Sequence, residues 1–297
     1  MGKQSLRALT RSFYDLQKLR IMAGNRLVAN IRVRLGQEPG EPTEEMTPEG
    51  KELLERVTAT FKRVTDGLMT INNRTIVDAI AKSEGIIADA FEFELVRYYL
   101  ALLKDEENLG KSIARLVAQF PIWEQFLDGV KGCGPMMSAV IISELDIHKA
   151  RHISSFWKYA GLDVVDGAGR SRKLGSLVDV EYTNSDGEQA MRKSITFNPF
   201  LKTKLIGVLA SSFLRCASPY SDIYYDYKTR LENSPAHADK TKGHRHNMAL
   251  RYMTKMFLKD LWLAWRGIEG LPIEPDYAEA KLGIVHRAAP VMESVPA

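Results

Sequence analysis

Most of this chain is written in a helical period, and that period leaves few folds open to it. Between Ser5 and Leu35, Leu6, Leu9, Phe13, Leu16 and Leu19 recur three or four residues apart, followed by Leu27, Ile31 and Leu35. The spacing predicts one long helix, with Gly24 as a point where it kinks. The loop QEPGEPTEEMTPEG follows, and its end starts a second helix. Thr47 is placed to cap, Pro48 to occupy the first helical position, and Glu49 to meet the positive end of the helix dipole. Helical pattern then continues through Thr47–Phe120. From Phe156 the texture changes to glycines and β-branched residues. That stretch predicts a short helix, a glycine-rich loop and a β-hairpin turning at Asn184–Gly187, with Val178–Thr196 as an insertion. Helices resume at Pro199–Cys216 and Pro219–Glu232, and the last is HRHNMALRYMTKMFLKDLWLAW. On it Ala249, Tyr252, Met253, Met256 and Phe257 form an apolar stripe, opposite a row of Asn247, Arg251, Lys255 and Lys259. Residues beyond Gly267 are dotted with proline.

Composition narrows the setting. The 297 residues carry a formal charge of only +4, but unevenly placed. Lys3, Arg7, Arg11, Lys18, Arg20, Arg26, Arg32 and Arg34 face only Asp15 in the first 34 residues, and Glu38–Glu55 reverses the sign. Such asymmetry suits a polyanionic partner, and equally a solvated helix surface; the leucine stripe of the same helix also suits pairing with another subunit, leaving the arginines in water. Cys133 and Cys216 are the only cysteines, so there is no disulfide framework and no zinc spacing. With no secretory apolar core at the N-terminus and no long apolar span, the expectation is a cytoplasmic, nucleoid-associated protein with no membrane contact.

The stretch KGCGPMMSAVIISELD, Lys131–Asp146, carries the first chemical signal. Gly132 and Gly134 take side chains away from a turn and allow positive φ. Pro135 starts a helix where its missing N–H costs nothing, so the free amides of the first turn point outward with partial positive charge. Lys131 adds a full charge. With WEQFLDGV before it and MMSAVIISEL after it, the pattern reads as a helix-hairpin-helix that grips phosphates without reading bases, or as a plain helical corner with a glycine cap. The fold expected is mainly α: a helical N-terminal half (1–110), a helix-hairpin-helix-containing α domain (111–268) with a small β-hairpin insertion, and an irregular tail (269–297).

A wider order of elements follows the turn. The Gly-x-Gly-Pro hairpin leads into an apolar helix ending in Glu-Leu, then FWKYAGL, then the polar loop DVVDGAGRSRKLG. The order resembles the C-terminal domain of insertion-sequence transposases of the pilin-invertase type, over roughly Ala118–Gly267. The resemblance implies a DNA recombinase acting as an oligomer. Some members choose their targets with a structured noncoding RNA, and a serine after the Tyr-Ala-Gly-Leu element attacks the phosphodiester. It also implies an N-terminal RuvC-like domain with four metal-binding carboxylates. This chain departs there: its opening is helical and Asp15 stands alone. Aligning the loop from Gly161 to Gly175 puts the family's serine position on Gly169, with Ser171 two residues on.

Site candidates follow. Ser171 is the candidate nucleophile, which would need a base, a metal such as magnesium, or an electropositive pocket. Asp166 is the candidate acid or base, and Asp163 and Asp179 are further acids; all three also fit simple turn residues. Lys131, Gly132, Gly134, Arg170, Arg172, Lys173, Arg192, Lys193, Lys202 and Lys204 are the candidate DNA-backbone contacts. No metal cluster is expected, because His244 and His246 are two apart on a helix and face different sides. Tyr220, Tyr224, Tyr225 and Tyr227 crowd one helix, as base-stacking groups or as core. Trp157, Trp262 and Trp265 are expected in the core, and Tyr159 beneath the loop. The readings left open are a recombinase using Ser171, a non-catalytic DNA- or RNA-binding protein, and a structural helical protein.

Overall fold

The computed structural model describes residues 2–37, 46–66, 73–165 and 167–274. Among them the chain is mainly helical, with two small antiparallel ribbons. It forms two compact units. One holds the described residues up to Arg7 and from Ile113 on, and the other holds Ala8–Ser112.

The smaller unit draws on α1 (Lys3–Arg34), α2 (Pro48–Asp66), α3 (Asn73–Lys82) and α4 (Ala90–Val117). Its core gathers Leu27, Val28, Ile31, Leu54, Val57, Phe61, Ile87, Phe93, Val96 and Tyr99. Each large side chain removed from water there contributes roughly 1.5–3 kcal/mol. Helix α1 runs through Gly24 without a break. The glycine serves packing, since a Cβ there would stand 3.2–3.3 Å from Tyr99, Leu54 and Met46. Leu19 and Leu35, counted in the apolar stripe, are exposed: the 3.6-residue period carries the buried stripe off Leu19, and Leu35 falls in the turn past the end of α1. Helix α2 starts as its sequence predicts: the Gly50 amide donates to Thr47 Oγ1 at 3.2 Å. Glu49, although exposed, has its carboxyl held below the usual range by hydrogen bonds from its own backbone amide and from Thr47.

Part of the basic row of α1 is paired with acids from later helices. Arg20 is bonded to Glu106, and Arg34 Nε meets Glu92 Oε1 at 2.8 Å. Arg7 pairs with Glu144 within the larger unit. The charge run that sequence offers to a polyanion is therefore in part internal ion pairing, with partners 58 to 137 residues away in sequence.

The larger unit is built around α5 (Pro135–Glu144), buried on every side from Met137 to Glu144. A helix apolar all round has to be a core helix. It is followed by α6 (Ile153–Tyr159), the two-residue strands β1 (Val164–Val165) and β2 (Ala168–Gly169), and the hairpin of β3 (Val178–Thr183) and β4 (Gln189–Ser194). The hairpin turns where expected. Asn184 Oδ1 accepts from the Asp186 and Glu188 amides, and Gly187 takes φ +83. A continuous helical run follows, α7 (Pro199–Thr203) to α8 (Ala210–Arg215), with a wider turn between them. Then come α9 (Pro219–Glu232) and α10 (Lys242–Ile268). Phe213, Tyr220 and Phe257 pack ring on ring at 5.0–5.4 Å, and Phe156 meets Trp265 at 6.4 Å. Trp262 and Trp265 are buried as expected, whereas Trp157 is half-exposed, with Lys255 Nζ 4.1 Å from its ring centroid. Among the described residues no helix is long and apolar enough to cross a membrane.

Candidate nucleic-acid interface

The Lys131–Pro135 bend forms by a division of labour between its glycines. Gly132 has φ +97, and a Cβ on it would lie 2.8 Å from Cys216 Sγ and 3.0 Å from Phe213 Cδ1. Its bareness lets the bend seat against α8. Gly134 instead caps α5 with extended backbone, φ −74 and ψ 176, and open space where a side chain would be. So Gly134, not Gly132, leaves main chain open to an approaching group, and positive φ is needed only at Gly132. Lys131 and Gly134 are exposed, while Cys133 is buried, with burial pushing its thiol up to about 12. The helix before the bend is shorter than WEQFLDGV suggests, a single wide turn over Trp123–Leu127.

The polar loop gives a denser arrangement. Arg170, mostly buried, donates from Nε to Asp163 Oδ2 at 3.0 Å. Lys202, reaching from α7, donates to the Arg170 carbonyl at 2.5 Å. Arg251, from α10, lays its guanidinium on the main chain of Gly169, where a Cβ would fall 2.2 Å from Nη2. Burial, and the charge of Arg251, hold the Lys202 ammonium below the ordinary lysine range, with Asp163 opposing. Burial likewise lowers Arg251, with Tyr227 and Asp163 opposing. Of these three cations Arg170 is the one bonded to Asp163, while Lys202 and Arg251 lie within its electrostatic reach; the other carboxylate oxygen, Oδ1, is buried with no hydrogen-bond partner among the described residues. Three cations against one carboxylate leave the loop with an excess of positive charge.

The other sequence candidates scatter. Ser171 Oγ accepts from the Lys173 amide at 3.0 Å, and among the described residues no base is hydrogen-bonded to it. Asp166 lies outside the described residues. Arg172 and Lys173 are exposed on the loop. On the hairpin, Lys193 is paired with Asp179 at 2.7 Å, and Arg192 lies 5.0 Å from the Tyr182 ring centroid. Neighbours on one strand, they point to opposite faces. Lys204 sits 5.6 Å from the Phe200 ring, its ammonium lowered by burial. Tyr159 is exposed rather than tucked beneath the loop; its hydroxyl accepts from Asn198 Nδ2 at 3.1 Å. No group of three or more His, Cys, Asp or Glu that could hold a metal occurs among the described residues.

Two features escaped the sequence. Arg251 was one of a solvent-facing basic row, and nothing local marks it as the arginine that a distant glycine receives. The second is Glu144, whose side chain is 1% exposed. It takes hydrogen bonds from Arg7 Nε at 3.2 Å and Asn198 Nδ2 at 2.6 Å, and it lines a cavity of about 610 Å³ with Lys3, Lys149, Phe156 and Tyr159. The one available signal was a lone acid closing an otherwise apolar helix. Comparison with protein-family models, with curated proteins and with solved structures finds no match.

Proposed function

We propose that this chain grips the sugar–phosphate backbone of DNA as a transposase-like protein of DNA recombination and transposition. The observation that carries the reading is the gathering of Arg170, Lys202 and Arg251 at one loop: Arg170 is bonded to Asp163, Lys202 to the Arg170 carbonyl, and Arg251 lies over Gly169. Clustered cations at a glycine suit a phosphate, and such contacts fix position without reading sequence. The open Gly134 cap and exposed Lys131 support a second point of grip. A structured RNA and further copies of the chain are partners that the resemblance adds.

The test is binding of a fluorescent 20-base-pair duplex by the full chain across a salt series. The expected result is a steep loss of affinity with salt, with the log–log slope reduced by about one in Arg251→Ala. No binding in dilute buffer, or binding indifferent to salt, overturns the reading.

A second reading, attack on the phosphodiester by Ser171, draws on its place directly after Arg170, where the cations would hold a scissile phosphate. A covalent protein–DNA adduct formed by the native chain with magnesium and lost in Ser171→Ala would establish it. No adduct under any metal condition leaves binding alone.

A further inference from the structure

Next to the cation cluster lies a small aromatic cavity that phosphate binding does not use. Tyr227 of α9 and Tyr252 of α10 stack face to face, with centroids 4.2 Å apart and planes within 13°. Arg230 holds its guanidinium 4.7 Å from the Tyr227 centroid and 6.0 Å from that of Tyr252. Both rings line a cavity of about 230 Å³ with Ile223, Asp226, Arg230 and Met256. The space is below the usual size of a cofactor site and suits one planar ring system. Its chemistry matches a nucleobase: aromatic and apolar walls to stack on, and a cation beside them. Position supplies the link to the backbone. Arg251 precedes Tyr252 on α10, lies on Gly169, and its guanidinium is within electrostatic reach of Tyr227. A strand with a phosphate at Arg251 would pass close enough to bring a base to the tyrosine pair.

We propose that the Tyr227–Tyr252 cavity receives an unpaired base of single-stranded nucleic acid whose phosphate is held at Arg251. The inference rests on the backbone-binding reading and adds the substrate class: a duplex keeps its bases stacked, so only an unpaired nucleotide can fill the cavity.

The experiment compares four labelled 20-mers on the full chain at one salt concentration: single-stranded DNA, single-stranded RNA, duplex DNA, and an abasic strand that keeps every phosphate. The expected result is tighter binding of one or both base-bearing single strands than of the abasic strand, by about fivefold to a hundredfold. The DNA and RNA arms say which sugar is taken. Tyr252→Leu removes the difference, and Tyr252→Phe keeps it. Photocrosslinking of the native chain to a 5-iodouracil strand, with peptide mapping, decides independently of how the variants fold, and the expected crosslink is at Tyr227 or Tyr252. Equal binding of abasic and base-bearing strands, or crosslinks mapping only elsewhere, overturns the inference and leaves backbone binding standing. Failure of the duplex and abasic strands to bind at low salt overturns the backbone reading, and with it this one.

Discussion

The guanidinium of Arg251 occupies the space that a side chain on Gly169 would need: a Cβ there would fall 2.2 Å from Nη2 and 2.6 Å from Cζ. Gly169 does not need left-handed backbone, and the atoms nearest to an added Cβ are all at the end of one flexible side chain. Gly169→Ser should therefore cost little stability, within about 1 kcal/mol by urea denaturation. It should nonetheless push Arg251 away and lower the salt slope of DNA binding by about one, as Arg251→Ala does. A Gly169→Ser variant binding with the native slope would show that Arg251 meets no phosphate.

The two glycines of the Lys131–Pro135 bend should respond oppositely to alanine. Gly132→Ala places a Cβ at φ +97 and 2.8 Å from Cys216 Sγ, combining strained backbone with a clash in packed core. The expected loss is about 2–4 kcal/mol. Gly134→Ala meets open space and ordinary extended backbone, so stability should change by less than about 0.5 kcal/mol. Its duplex affinity should fall if phosphate reaches the α5 amides there. Chemical denaturation and anisotropy on the same two proteins separate the roles.

How much of this was legible in sequence follows from the range of each interaction. The α2 cap, the Asn184–Gly187 turn and the span of α10 are set within a few residues, and sequence carries them. The seat of Gly132 against Cys216, the Arg251–Gly169 contact and the Glu144 network join residues 54 to 137 apart in the chain. Local pattern cannot report such partners. The basic row of α1 misled for that reason: its arginines look unopposed in sequence because Glu92, Glu106 and Glu144 come from later helices. Ser171 is marked in sequence by the resemblance and by its basic neighbours, yet the side chains that gather at its loop in space are Asp163, Lys202 and Arg251.

Glu144 is a buried carboxylate bonded to Arg7 and Asn198, and the Asn198 carbonyl oxygen in turn caps α7 through the Leu201 amide at 3.0 Å. Glu144→Ala removes the anion between two donors and should destabilise by about 3–5 kcal/mol. Glu144→Gln keeps the shape and part of the bonding, so it should lose clearly less. Urea midpoints of the two variants, compared at equal slope, check the order; equal losses would mean that the charge contributes nothing.

Lys202 should act as a proton acceptor when an anion binds. Its pKa is lowered in the free fold by burial and by Arg251. The unfolded chain therefore holds that proton more tightly than the native one, and the resulting penalty is present below the native pKa and relieved as pH rises toward the ordinary lysine value. A phosphate at the cluster favours the charged ammonium and raises the pKa again. Calorimetry of duplex binding in alkaline buffers of different ionisation enthalpy should detect proton uptake, which Lys202→Arg should abolish while keeping affinity. Uptake unchanged in that variant would place the bound phosphate away from Lys202.

Cys133 and Cys216 should differ sharply in chemistry. Cys133 is buried, near Ser138 Oγ at 3.6 Å, with its thiol raised to about 12, whereas Cys216 is partly exposed. At pH 8 a chromogenic disulfide reagent should titrate one thiol in the native chain and two in guanidinium, and Cys216→Ser should leave almost none in the native state. The same shift sets a pH dependence. Because the native value lies above the unfolded value of 9.0, the thiol's contribution is complete below about pH 9. It is lost as pH rises toward 12, by roughly 4 kcal/mol once both forms ionise. The stability difference between the native chain and Cys133→Ala, measured by urea denaturation, should therefore hold steady from pH 7 to 8.5 and shrink by pH 10.5. A difference constant across that range would mean that Cys133 ionises as easily folded as unfolded, and that the bend is open to water.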